Sequence, residues 1–188
     1  MEQRASRRED DSPPDEVITV VLGTTTLESV ASSSDLNLED ATRDRIRHAL
    51  VVFVPIVHFG DYEHPVFAEC TADLFQYIRA RVGNDMETEI AIEDPDYQEI
   101  SLRSDAISIP EMIMTLGVAP VIVNLVSQWI ITRFSSRKSP PAVTWTATIQ
   151  TANESRTLSY SGPADTFERL VLDSIETIRR NDHNDTTA

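Results

Sequence analysis

The stretch VTWTATIQ at residues 143–150 decides the fold class. Its apolar residues alternate with Thr and Gln, and this period of two predicts a half-buried β-strand. A polar turn at 152–154 follows, and Leu158 and Tyr160 alternate on the return, so we expect a β-hairpin. Gly162-Pro163 then opens a last helix, with apolar residues at helical spacing.

Four further stretches predict strands. VITVVL at 17–22 and LVVFVPIV at 50–57 are rich in β-branched residues and predict two buried strands. Pro55 cannot donate to a ladder, so we expect the second strand to be interrupted or to lie at an edge. Residues 86–93 alternate with Glu, and an Asp-Pro-Asp turn predicts a hairpin with 99–102.

Two further segments predict helices. Residues 38–49 carry acids in the first turn and bases in the last, which matches the helix dipole, and 65–82 repeat apolar residues at helical spacing. The Thr- and Ser-rich residues 23–36 predict a loop. Because hairpins favour antiparallel or mixed sheets, we predict an α+β fold. It should have a mixed or antiparallel sheet of five to six strands, with about four helices packed mainly on one face.

The chain divides into one domain and two tails. We expect 1–15 to be a disordered acidic tail, 16–180 to be a single α+β domain, and 181–188 to be a second disordered tail. The N-terminal tail contains no apolar stretch of the kind that signal peptides carry, so we expect a cytoplasmic protein.

The chain is strongly acidic, with 31 acidic residues against 16 basic ones and a formal charge of −15. It should repel a phosphate backbone, because its densest basic stretch, 133–138, holds only three charges. We therefore expect no nucleic-acid partner. Lys138 is the single lysine, a composition that suits a halophile's cytosol or a high-GC genome as well as it suits plain compositional drift.

Residues 112–131 contain no charged side chain and are long enough to cross a bilayer as a helix. As a membrane span, the segment would place the C-terminal part of the chain in the cytoplasm, because basic residues follow it. Asn124, Ser127 and Gln128 would form a polar seam on that helix, and orphaned amides are costly in lipid. We favour a core or interface helix over a span, and the seam is the candidate interaction site.

The densest group of metal-ligand residue types lies in the loop after the second strand. His58, Asp61, Glu63 and His64 are of the types that hold divalent cations. Their spacing matches no standard metal motif, and ordinary polar loop residues explain the group equally well. They are candidate metal ligands, and with them a metal-dependent hydrolase is a third functional hypothesis.

No other pattern indicates catalysis. The sequence contains no phosphate-binding glycine loop, nucleophile elbow or zinc-protease motif, so we expect no cofactor and no enzyme of those classes. Cys70 lies on the apolar face of the helix predicted over 65–82, and we interpret it as a buried structural thiol.

The C-terminal part resembles a known family in its layout. An apolar helix ends in Trp129-Ile-Ile-Thr-Arg133, a basic linker follows, and then come the Thr/Val-rich hairpin 143–160 and a short terminal helix. This layout resembles the effector-associated constant components of prokaryotic conflict systems, over about the last 75 residues. The resemblance implies a small adaptor that couples to a separate effector protein.

Three functions follow from the sequence, in this order. The first is a non-enzymatic interaction or adaptor module with a protein partner. The second is a membrane-anchored accessory protein that uses 112–131 as a single span. The third is the hydrolase around His58–His64.

Overall fold

The computed structural model describes residues 16–101, 106–135 and 140–185, with side chains to residue 183. The strands are β1 (Val17–Gly23), β2 (Val51–Phe53), β3 (Phe67–Ala68), β4 (Thr88–Ile90), β5 (Glu99–Ile100), β6 (Ile107–Ser108), β7 (Met112–Thr115), β8 (Ala142–Gln150) and β9 (Ser155–Pro163). The helices are α1 (Leu27–Ala31), α2 (Asp40–His48), α3 (Thr71–Val82), α4 (Ala119–Phe134) and α5 (Ala164–Asp185). The tail predicted at 1–15 lies outside the described residues.

Seven strands form one mixed sheet, which confirms the α+β prediction. Their order is β1-β9-β8-β7-β2-β4, and β6 pairs with β8 at the start of that strand. The pairs β1–β9, β9–β8 and β7–β2 are antiparallel, whereas β8–β7 and β2–β4 are parallel. A separate short parallel pair joins β3 to β5.

The hairpin predicted from VTWTATIQ forms as expected, and it lies between β1 and β7 in the sheet. It pairs β8 with β9 over their full length, and Trp145 faces Tyr160 across the two strands. Phe167 of α5 meets both rings edge-on, at centroid distances of 5.4 Å and 5.2 Å. Aromatic pairs prefer this edge-to-face geometry, so the hairpin and the last helix share one aromatic core.

Helices cover both faces of the sheet, where the sequence predicted mainly one. On β2, Val51 and Phe53 belong to the core under α3, α4 and α5, whereas Val52 belongs to a second core under α1 and α2. On β7, Ile113 likewise joins the second core. Strands buried on both faces read as continuous apolar runs, which is why 51–53 lack alternation.

The prediction of one helix over 112–131 is wrong. Residues 112–115 are the strand β7, and the helix α4 begins only at Ala119, with Pro120 in its first turn. None of the described helices combines the length and the apolar character that crossing a bilayer requires. Periodicity alone does not separate a short buried strand from a buried helix, and that ambiguity caused the error.

Three further predictions need correction. The strands over 86–93 and 99–102 do not form a hairpin, because β4 pairs with β2 and β5 pairs with β3. Residues 23–36 contain the short helix α1, and Thr26 caps it through a reciprocal bond pair with Ser29. The helix α5 continues to Asp185, so residues 181–185 of the predicted second tail are helical.

Candidate interaction surface

The two edges of the main sheet differ in length and charge. β4 has three residues, and its Glu89 pairs with Arg45 of α2 at 3.3 Å. A short edge with charged side chains resists the addition of another strand. This edge is therefore protected.

The opposite edge, β1, has none of these protections. It is seven residues long and contains no charged residue and no proline, and among the described strands it pairs only with β9. Most of its apolar side chains are exposed, Val17 by 53%, Val21 by 50% and Leu22 by 66%. The sequence predicted a buried strand here. Apolar residues on both faces of a strand are unusual at a sheet edge that only solvent covers.

One face of the sheet next to β1 is lined with hydroxyl groups. The face opposite to α5 presents Thr144 and Thr146 from β8, and Thr157, Ser159 and Ser161 from β9. Across the hairpin, Thr146 lies 3.4 Å from Ser159 and Thr148 lies 3.2 Å from Thr157. We call the six positions, with Thr148 included, the hydroxyl face. It is uncharged, in a chain in which one residue in four is charged.

A pocket of about 200 Å³ opens at the end of the hydroxyl face, where β6 passes into β7. Three residues, 109–111, stand opposite only two residues of β8, which makes a bulge. Glu111 lies in this bulge, half-buried, and it is the only ionisable residue among the described residues that line the pocket. Burial raises the pKa of its carboxyl group.

The predicted polar seam of α4 is only partly a surface. Asn124 and Gln128 are exposed, and Val121 and Ile131 flank them at 48% and 61% exposure. Ser127 points inward and is buried. The exposed pair makes no described contact with another element, since the Asn124 amide donates only to Pro120 of its own helix, at 3.4 Å.

The Trp129 and Arg133 side chains, on which the family resemblance rests, meet one carboxylate. The Trp129 indole donates to Asp73 of α3 at 2.9 Å, and the Arg133 guanidinium lies 3.4 Å from the same Asp73 oxygen. Trp129 is almost fully buried. The motif therefore holds α4 against α3.

The predicted metal ligands are not gathered into a site. His58, Asp61, Glu63 and His64 are all exposed, and His58 lies 3.5 Å from Asp35. Within residues 16–101, 106–135 and 140–185, no three His, Cys, Asp or Glu side chains come close enough to hold a metal ion. The proposed metal site at these four residues is therefore not supported.

Cys70 is half-buried and precedes α3 instead of lying on that helix. Its backbone is left-handed, with φ of 74°, and its N–H donates to Glu99 of β5 at 3.1 Å. Burial raises the pKa of the Cys70 thiol, so the thiol is protonated at neutral pH and is a weak nucleophile.

Comparison of the chain with protein-family models, with curated proteins and with solved structures gave no match. What the chain binds is therefore inferred from its own geometry. Sequence reasoning missed both β1 as an edge and the Glu111 pocket. A lone acid between Pro110 and an apolar run was the one signal that pointed to the pocket.

Proposed function

We propose that the protein is a non-enzymatic interaction module that associates with a second copy of itself through β1. The observation that carries the proposal is the contrast between the two sheet edges. β4 is short and charged, and β1 is long, uncharged and apolar. Strand addition supplies main-chain hydrogen bonds to exactly such an unpaired edge.

Charge favours a second copy despite the acidity of the chain. Two chains of −15 repel each other over most of their surfaces, but β1 places no charge opposite itself. Like charges directly across a ladder are destabilising, and this strand avoids them. Salt screens the remaining repulsion, so association should strengthen as the salt concentration rises.

The sequence of β1 is also complementary to itself. An antiparallel pair centred on Val20 places Ile18 opposite Leu22 and Thr19 opposite Val21 of the second copy. In this register each side chain lies on the same face of its sheet as the side chain opposite it, because paired residues are an even number of positions apart in the sequence. The α5 side of one sheet therefore continues into the α5 side of the other, and the interface is isologous.

The test is the mass of the protein in solution, measured by sedimentation over about 1–100 µM, a range in which an association shows itself by mass action. We expect a concentration-dependent dimer that is tighter at about 1 M salt than at about 0.15 M. Val21→Lys places a charge on the exposed edge and should weaken association about tenfold or more. The added positive charge reduces the net repulsion, so a loss of dimer must come from the edge itself.

The matched control is Val121→Lys on α4. Val121 is 48% exposed against 50% for Val21, and the chemical change is the same. This variant should dimerise as the wild type does. A monomer at every concentration, or equal weakening by both variants, would overturn the proposal. A chain that dimerises only after residues 1–15 are removed would make that segment the occupant of β1.

The adaptor role belongs to the same proposal. The resemblance to effector-associated constant components gives the dimer a separate effector protein as its partner, and α4 offers Asn124 and Gln128 as an uncharged outer surface. A cytoplasmic location and the absence of a nucleic-acid partner complete the proposal. The charge of −15 supports the absence of a nucleic-acid partner, because phosphate contacts require a basic surface.

A further inference from the structure

The Glu111 pocket is not used by the association through β1. Its walls come from three parts of the fold: Val54 and Ile56 beyond β2, the bulge residues before β7, and Thr144 with Thr146 on β8. In the bulge, the Ile109 N–H donates to the Thr144 carbonyl and the Val54 N–H donates to the Glu111 carbonyl, both at 2.9 Å. These backbone bonds do not involve the Glu111 carboxyl group, which lines the pocket.

Among the described residues, the Glu111 carboxylate has no counter-charge. None of them donates a hydrogen bond to it or forms an ion pair with it, and burial is the cause of its raised pKa. A half-buried carboxylate without a partner costs free energy, and a cation that enters the pocket relieves that cost. The overall charge of −15 also draws cations towards the protein.

Ser108, Thr144 and Thr146 also line the pocket, and their hydroxyl oxygens can accept from N–H donors. The Thr144 hydroxyl bonds Ser108 only weakly, at 3.4 Å. The other wall is apolar, with Ile109 and Pro110. A guanidinium group has a planar fork of N–H donors and faces that tolerate apolar contact, so it fits both walls better than a compact ammonium.

We infer that this pocket binds a guanidinium group through Glu111 and the hydroxyls of Ser108, Thr144 and Thr146. A volume of about 200 Å³ suits one side-chain head group and is below the size usual for cofactor sites. The guanidinium comes either from a small molecule or from an arginine side chain of a peptide. The inference does not depend on the pairing of β1, so the two proposals fail separately.

The test uses the full chain and four probes: methylguanidine, the tripeptide Gly-Arg-Gly, the same peptide with Lys, and the same peptide with citrulline. Citrulline keeps the shape of arginine without its charge. We expect titration to shift the backbone NMR signals of Ile109, Thr144 and Thr146. Binding of the Arg probe should weaken about tenfold or more in Glu111→Gln, the usual loss for a hydrogen bond to a charged group.

Glu168→Gln on α5 is the control, because it removes one charge from the opposite face of the sheet. It should leave binding unchanged. Tighter binding of the tripeptide than of methylguanidine assigns the site to a side chain, and equal binding assigns it to a small molecule. Equal binding of the citrulline or lysine peptide, or equal loss in both variants, would overturn the inference. So would the absence of any shift at the pocket.

Discussion

Asp73 is a single residue on which the contact between α3 and α4 depends. Its carboxylate accepts from the buried Trp129 indole and also pairs with Arg133. The ion pair between Asp73 and Arg133 is about half exposed and contributes little to stability. A buried indole N–H left without an acceptor, in contrast, destabilises the fold by its desolvation free energy.

We therefore predict that Asp73→Ala lowers the free energy of unfolding by about 1–3 kcal/mol, measured by urea denaturation. Asp44→Ala is the control, because Asp44 pairs with Arg47 on the exposed surface of α2, and it should cost less than about 1 kcal/mol. Equal costs for the two variants would show that Trp129 does not need Asp73.

Glu111 gives stability a pH dependence whose sign follows from its raised pKa. Below the ordinary carboxyl pKa of 4.5, Glu111 is protonated in the folded and the unfolded chain and contributes nothing. As the pH rises through the raised folded pKa, ionisation in the half-buried site destabilises the fold. The penalty begins above the ordinary pKa of 4.5 and stops growing once the pH exceeds the raised folded pKa.

Glu111→Gln should therefore be more stable than the wild type at pH 7.5, and the difference should vanish near pH 4. Denaturation of both chains at the two pH values measures it, with Glu168→Gln as the control for the loss of one charge from an acidic chain. A stability difference that grows on acidification would contradict the assigned environment of Glu111.

For single residues, the sequence indicated candidate site residues but not their burial or their contacts. It identified the exposed Asn124 and Gln128 of the polar seam, but it also included Ser127, which is buried. It singled out His58 and His64 for a metal, and the structure leaves them exposed and apart. Contacts such as Trp129 with Asp73 join residues 56 apart in the chain, and no local pattern reveals them.

Among the elements, α4 has a sharp boundary between its buried and its exposed positions. Ile130 is 1% exposed, and its neighbour Ile131 is 61% exposed. Ile130→Ala should cost about 2–5 kcal/mol of unfolding free energy, because it leaves a cavity in the core. Ile131→Ala should change stability by less than about 0.5 kcal/mol.

Denaturation of the two alanine variants compares the same deletion at adjacent positions. Similar costs would mean that α4 is rotated from the orientation described. Leu125 of the same helix is only partly buried, so the cost of its truncation to Ala should fall between the two.

Elements with clear periodicity were predictable, and short ones were not. The β8–β9 hairpin and α5 have long alternating or helical patterns, and both form where expected. The start of α3 is different. Glu99 accepts hydrogen bonds from the backbone of Cys70 and Ala72, so a residue 27 positions away caps this helix. Tertiary partners of this kind fix boundaries that local sequence leaves open.

At the scale of the whole molecule, the sheet joins a protected edge to an unprotected one. The hairpin β8–β9 lies between β7 and β1, and no described strand pairs with the outer side of β1. The sequence predicted a mixed or antiparallel sheet without showing which strand lies at its edge, and the sheet is mixed. Strand order depends on contacts across the whole chain, so no local pattern reveals it. The apolar content of β1 predicted a buried strand, whereas β1 is an exposed edge.

Disulfide formation between two β1 strands tests most directly whether β1 pairs with β1 of a second copy. In the Cys70→Ala chain, Val20→Cys places two thiols at the twofold axis. Opposed Cα atoms of antiparallel strands lie about 4.5–5.5 Å apart, within the range of about 4.4–6.8 Å that a disulfide spans. Val17→Cys is the control, because two copies of that residue lie about 20 Å apart in this register.

We predict that mild oxidation converts the Val20→Cys chain into a covalent dimer and leaves the Val17→Cys chain monomeric on a non-reducing gel. Failure of Val20→Cys to cross-link, or equal cross-linking at both positions, would contradict the pairing of β1 with a second copy.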